Sequence, residues 1–266
     1  MKKTLKIAAL LLALALIAAL ALFANSLLGN PVSKALAIKT ARSHVEAAYP
    51  GEGFILDRAG YNFKFGWYHV HFYVPGSTDR YFSVTTDPWG RLKSDSHDDI
   101  TGGWNTARRL DSAYRTLTDT VLRSPAFPFD SDIAFGTLEI YPREALDSPD
   151  VPGYTLIQED LIPDGEYDIR ALGAQAGHLV IYVYDTDTSP ERAAQIMLDL
   201  RALMDRAGIP FRAMDFHLYP PRNPDGTNAG KGLNIPDFAC DDITAEGLAA
   251  RLAAAAAAYE QRVKEK

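Results

Sequence analysis

The sequence predicts an α+β protein carried on an N-terminal transmembrane helix. Three observations carry this. Residues 7–28 are uncharged and almost wholly apolar. Beyond them, stretches with apolar residues every three or four positions are interspersed with short runs rich in aromatic and β-branched residues. Turn signals such as Pro75-Gly76-Ser77 and Asp87-Pro88-Trp89-Gly90 separate the runs. The expected organisation is a short cytoplasmic tail (1–6), an anchor (7–28), a first α+β unit (29–100) and a second (101–266).

As a helix, residues 7–28 extend about 33 Å, against a hydrocarbon core of about 30 Å. Lys2, Lys3 and Lys6 precede the run; Lys34, Lys39 and Arg42 follow it. The charge asymmetry is mild and favours a cytoplasmic N-terminus with the folded part outside. A cleaved signal peptide is the alternative, with Ala24-Asn25-Ser26 or Ala35-Leu36-Ala37 as its site. The run exceeds the usual signal-peptide core of about 7–15 residues, which favours an uncleaved signal-anchor. The lipid bilayer is therefore one expected partner, met through residues 7–28.

Asn30-Pro31 reads as an N-cap followed by proline at the first helical position. Ile38, Ala41, Val45 and Ala48 supply an apolar stripe, and Pro50-Gly51 ends the helix. Strands are expected at Phe54–Asp57, Tyr61–Val74 (with Gly66 as a bend) and Arg80–Thr86. A helix under an antiparallel meander is the simplest way to bury both. Ser94–Gly103 is polar and reads as the linker. In the second unit, Leu110, Ala113, Tyr114, Leu117 and Val121 line one face of a helix over 104–122. Ala134–Tyr141 reads as a strand, 142–165 as loop, and Tyr167–Leu172 with His178–Tyr184 as a strand pair. Thr188-Ser189-Pro190-Glu191 starts a helix whose stripe is Ile196, Met197, Leu200, Leu203 and Met204. Gly208 and Pro210 end it. Phe211–Tyr219 reads as a strand, Pro220–Gly232 as a loop and Thr244 to about Val263 as a helix. The order suggests a two-layer α+β sandwich.

Lys and Arg number 27 against 34 Asp and Glu, a formal net charge of −7. Three of the lysines precede the apolar run, so the remainder is more acidic still. This distributed acidity argues against nucleic-acid partners and against a polybasic grip on anionic lipid. Cys240 is the single cysteine, which rules out an intramolecular disulfide.

His69-Val70-His71 falls in a predicted strand, so both imidazoles share a face with Trp67 and Tyr73. Such a pair can begin a zinc or copper site if His97, Asp98 or Asp99 completes it. An aromatic-rich, half-exposed sheet face is the simpler reading. Gly226 to Gly232 imitates a phosphate loop but has the wrong spacing, and Gly232 stands where Ser or Thr would hold magnesium. Asp185-Thr186-Asp187 and Asp241-Asp242 lack the calcium-loop pattern and fit turns and caps. Arg108-Arg109 could pair with acids such as Asp111 or contact a partner. No Gly-x-Ser-x-Gly elbow, His-Glu-x-x-His helix or Ser-x-x-Lys signature occurs. No catalytic, cofactor or metal residue is assigned.

Gly29-Asn30-Pro31-Val32-Ser33-Lys34, the helix ending Tyr49-Pro50, and Gly60-Tyr61-Asn62-Phe63-Lys64-Phe65 resemble the YfjL-like proteins of Gram-positive bacteria over about residues 25–95. The resemblance implies an N-terminal anchor with extracytoplasmic α+β domains and no assigned activity. The helix-then-meander layout is also similar to PepSY and cystatin-like envelope modules, which implies binding or peptidase inhibition by fold analogy. The expected function is a non-enzymatic, membrane-anchored, extracytoplasmic protein that binds an envelope protein or peptide. The competing classes are a metal-dependent envelope enzyme using His69 and His71, and a small-ligand sensor with a cleft between its units.

Overall fold

The structure, a computed structural model, describes residues 2–227 and 229–265. The chain is α+β and divides into two compact units after Asn105.

In the first unit, α1 (Lys2–Leu28) is the one described helix long and apolar enough to cross a membrane. Gly29, at φ +69°, breaks it in the left-handed region, which glycine enters without a Cβ penalty. Asn30 then caps α2 (Pro31–Ala48), its side chain accepting from the Ser33 N–H. The buried stripe of α2 is Ser33, Ala37, Ala41 and Val45, an unbroken four-residue step. The expected Ile38 and Ala48 lie half-buried and exposed, one position off this line.

Strands β1 (Ile55–Asn62), β2 (Trp67–Tyr73), β3 (Tyr81–Thr86) and β4 (Leu92–Asp95) form an antiparallel meander in sequence order. Tyr68, Val70, Phe72, Phe82 and Val84 pack with Ala37, Ala41 and Val45 of α2. The alternation of β2 is thus realised, with His69 and His71 half-buried on the other face. Ser94–Gly103 is not a free linker. Ser94 and Asp95 end β4, and Asp98–Thr101 form the short helix α3 with Ile100 buried.

The second unit begins within α4 (Trp104–Leu122) and includes it from Thr106 on. Its main sheet has the order β10-β9-β8-β5, built from β5 (Ala134–Leu138), β8 (Gly177–Tyr184), β9 (Ala213–Tyr219) and β10 (Leu233–Ala239). β8 and β9 are parallel, joined by the crossover helix α6 (Pro190–Arg206); both edge strands are antiparallel. Ser189 caps α6 and accepts from the Arg192 N–H, as the Ser-Pro-Glu start predicts. Leu179, Ile181, Met214, Phe216 and Leu218 of the sheet meet Ile196, Met197, Leu200 and Met204 of α6. Leu110 and Tyr114 of α4 and Leu248 and Leu252 of α7 (Leu248–Glu265) complete this core.

Two sequence expectations fail here, and one strand is unforeseen. Tyr167–Leu172 is not a strand: Asp168 caps α5 (Ile169–Ala176), accepting from the N–H groups of Arg170 and Ala171. Ala134–Tyr141 is not one strand. It breaks at Glu139, after which β6 (Ile140–Tyr141) pairs in parallel with β7 (Leu156–Ile157). β10 is additional, hidden in sequence by Pro236 within it. The Gly226–Gly232 segment is loop where described, and Asn228 lies outside the described residues.

Candidate ligand cavity of the second unit

The period of two that sends Leu179, Ile181 and Val183 into the core points His178, Val180 and Tyr182 to the other side of the sheet. On β9 the same alternation sends Asp215, His217 and Tyr219 that way. The parallel register sets Asp215 beside Val180 and His217 beside Tyr182.

β10 supplies the remaining acid through a bulge. Ile235 pairs with Phe216 and Phe238 with Met214, which leaves Pro236 and Asp237 opposite Asp215 alone. Asp237 sits at φ +50°, an uncommon conformation for a residue with a Cβ. Its N–H donates to Asp215 Oδ1 at 2.7 Å, which holds the bulge in place.

These elements surround a cavity of about 460 Å³. Glu139, Asp150, Asp215 and Asp237 line it with His178, Tyr141 and Arg262. Tyr154 donates to Asp237 Oδ1 at 2.5 Å, so its oxygen is the acceptor for His178 Nδ1 at 2.8 Å. His178 Nε2 lies 3.2 Å from Asp215 Oδ1, and Nδ1 lies 3.6 Å from Glu139 Oε1. Both ring nitrogens therefore face acceptors, which is the pattern of a protonated imidazole.

The ionisation states follow from this geometry. Burial disfavours the charged His178 ring, but Asp215, Glu139 and Asp237 together outweigh it and raise its pKa. Burial raises Glu139, only partly opposed by His178. Burial also acts on Asp215, yet the His178 hydrogen bond and the Asp237 N–H bring it below the usual carboxylate value. Tyr141 is pushed up to about 12 by burial and by Glu139, and Tyr154 is raised by burial and by Asp237. Both phenols thus stay neutral donors at physiological pH.

Next to this acidic end lies an aromatic one. Tyr182 stacks on His217 at 4.2 Å between ring centroids. His217 and Tyr219 share Asn234 Oδ1 as hydrogen-bond partner, each at 2.7 Å. A second hollow of about 430 Å³ adjoins Tyr219 and Asn234 and is bounded by Tyr259 of α7. Tyr259 and Arg262, one turn apart on α7, line the two hollows.

The residues singled out in sequence are placed elsewhere. His69 Nδ1 lies 3.0 Å from Thr85 Oγ1 and His71 Nδ1 2.9 Å from Ser83 Oγ, both across the β2–β3 pair. His97 does not join them. It stacks on Tyr49 at 3.8 Å and meets Glu52 at 3.3 Å. Among the described residues no group of three or more His, Cys, Asp or Glu is arranged to hold a metal ion. Arg109 donates to the Gly165 carbonyl, while Asp111 accepts from Thr137 and the Leu138 N–H. Asp185 and Asp187 serve the turn before α6, as their spacing suggests.

A model of the YfjL-like N-terminal domain matches residues 2–96, and one of the YfjL-like C-terminal domain matches residues 113–253. The chain belongs to the YfjL-like family. The resemblance seen in the first hundred residues therefore extends to a second family domain, which holds the acidic cavity except for Arg262. Comparison with curated proteins and with solved structures gives no match. The likeness to PepSY and cystatin modules thus finds no support, and membership of the YfjL-like family brings no activity with it.

Proposed function

We propose that this YfjL-like chain is a membrane-anchored, extracytoplasmic binding protein whose second unit receives a basic segment of an envelope peptide or protein. The observation that carries this is the charge of the cavity. Four carboxylates line it against one imidazole and one guanidinium, and the imidazole is already engaged by its neighbours. A lysine or arginine side chain is the complement of such a surface. The stacked Tyr182 and His217 offer flat apolar area for the rest of an extended peptide. Binding is favoured over catalysis because the one imidazole of the cluster is held between its neighbours. His178 meets a phenol and carboxylates, not a hydroxyl or thiol nucleophile. The anchoring part of the proposal is supported by α1.

The test is calorimetric titration of the full chain, in detergent micelles, with short peptides that differ only in Lys or Ala at one position. Lysine peptides should bind, alanine peptides should bind at least tenfold more weakly, and Asp237→Asn should narrow the difference. Equal binding of both peptides, or of neither, would remove the acidic cavity as the recognition element.

A further inference from the structure

The first unit contains an exposed aromatic tip that the binding proposal does not use. The β1–β2 hairpin turns through Phe63-Lys64-Phe65-Gly66, and Phe63 and Phe65 are 67% and 56% exposed. Trp67, at the start of β2, is 38% exposed and stacks on Phe65 at 5.7 Å. The Lys64 ammonium lies 5.6 Å from the Phe65 ring centre. The turn is well defined: the Gly66 N–H donates to the Asn62 carbonyl at 2.8 Å, and Asn62 Oδ1 accepts from the Lys64 N–H. Phe63, Phe65 and Trp67 together form an exposed apolar patch on an ordered turn, the kind of surface that marks an interaction site.

The place of the tip says which neighbour. Tyr61, just before it, donates to the Ser26 carbonyl in the last turn of α1 at 3.2 Å. Tyr68, just after it, donates to the Asn30 carbonyl at 3.1 Å and accepts from the Asn30 N–H at 2.8 Å. Gly29 sits against both tyrosines so closely that a Cβ there would collide with them. The hairpin is thus fastened to the point where the apolar run ends. Phe65 is four residues from Tyr61, at most about 14 Å along an extended chain. Aromatic side chains with a lysine, at the level where a spanning helix leaves the hydrocarbon, are the composition of a bilayer interface.

We propose that the Phe63–Trp67 tip inserts into the interfacial layer of the membrane beside α1, as a second contact that fixes the orientation of the first unit on the bilayer. The proposal rests on α1 being the anchor. The full chain carrying Cys240→Ser is reconstituted in phosphatidylcholine–phosphatidylglycerol vesicles. Single cysteines at Leu16, Phe65 or Pro75 carry an environment-sensitive fluorophore. Leu16 reports the anchor, and Pro75 lies past the opposite end of β2. Leu16 and Phe65 should be quenched by lipid-borne quenchers, Phe65 most by those near the headgroup. Pro75 should be quenched by aqueous iodide several-fold more than Phe65. Lipid quenching at Leu16 with equal iodide access at Phe65 and Pro75 overturns the membrane-contact proposal alone, and leaves the tip as a protein-binding surface. Loss of lipid quenching at Leu16 overturns the anchor and the tip together.

Discussion

Each unit holds a cluster of histidine and carboxylate, and the two clusters are built on opposite ratios. In the first unit a single carboxylate collects donors. Asp95 meets His44 Nε2 at 2.5 Å, the Tyr49 hydroxyl at 3.0 Å and the His97 N–H at 3.0 Å. Glu52 joins His97 to Arg80, and the Tyr49 and His97 rings stack. The groups come from α2, the segment after it and the end of β4, so the cluster is a brace between helix and sheet. In the second unit a single imidazole collects carboxylates, and the surplus faces a cavity. The difference teaches that a dense titratable cluster is not by itself a site. A cluster with balanced donors and acceptors stabilises a fold, whereas one left with excess charge beside empty space is suited to bind.

The largest effect should come from a residue in neither cluster. Leu200→Ala removes a fully buried side chain from the α6–sheet contact and should cost about 2–5 kcal/mol. The cavity hangs on the same sheet, so its rigidity depends on this apolar layer. All three tryptophans, Trp67, Trp89 and Trp104, lie in the first unit, and Cys240 lies in the second. Urea unfolding of the full chain in micelles can therefore be followed by fluorescence for one unit and by pulsed thiol labelling for the other. A neutral Leu200→Ala on the thiol probe would mean that the layer does not support the site.

Next comes the direct comparison of the clusters. Asp95→Ala strands the Tyr49 hydroxyl and the His44 ring, and should cost the first unit about 1–3 kcal/mol. Asp237 is exposed, and Asp237→Asn keeps its shape, so stability should stay within about 0.5 kcal/mol while lysine-peptide binding falls. If the two substitutions destabilise equally, the distinction between brace and site disappears.

The pH dependence should differ in sign near neutrality. Asp95 and Asp215 are held below the ordinary value, Asp95 despite its burial because His97, His44 and Tyr49 donate to it. Their contributions are present above an unfolded pKa of about 3.9 and are lost as the pH falls through the depressed values. Acid therefore weakens both units. His178 is raised, so its contribution is complete below its unfolded pKa of about 6.5 and is lost as the pH rises through the folded value. His71 is lowered, first by burial and then by Arg58 and His69, so its cost to the first unit disappears as the pH rises to about 6.5. Between about pH 5 and 8 the tryptophan midpoint should rise while the thiol midpoint falls. Parallel curves would contradict the opposed shifts of the two histidines.

The brace and the cavity were unequally legible in sequence. Helices α2 and α6 announce themselves through their caps, and α4 and α6 through their apolar stripes, because those signals are local. The exposed face of β2 is legible for the same reason. The short α5 was hidden because eight residues hold barely two turns, and its apolar positions around Tyr167–Leu172 read as easily with a period of two. β10 was hidden because proline normally argues against a strand, and here it sits in the bulge that aims Asp237. The cavity and the hydrogen-bonded cluster beside it draw Glu139, Tyr154, His178, Asp215 and Asp237 from five separate segments, and only tertiary pairing brings them together. Alternation on β8 and β9 could have put His178 and Asp215 on the side opposite the apolar residues, but not beside one another.

Among the substitutions that remove whole side chains, the smallest loss is expected where the sequence pointed most visibly to chemistry. Replacing both His69 and His71 by Ala removes two half-buried rings from the outer face of the meander. Each gives up one hydrogen bond to a neighbouring hydroxyl, that of the half-buried Ser83 for His71 and that of the buried Thr85 for His69. The combined loss on the tryptophan probe should be about 1 kcal/mol at neutral pH, the lower end for two neutral hydrogen bonds. It should shrink further in mild acid. The native chain then bears the cost of protonating a half-buried His71 beside Arg58 and His69, and the variant does not. Added zinc should leave the midpoint of the native chain unchanged, because no third ligand faces the pair among the described residues. A zinc-dependent rise in the native chain that vanishes in the double variant would restore these histidines as a metal site, since a ligand that binds only the folded state must raise its stability.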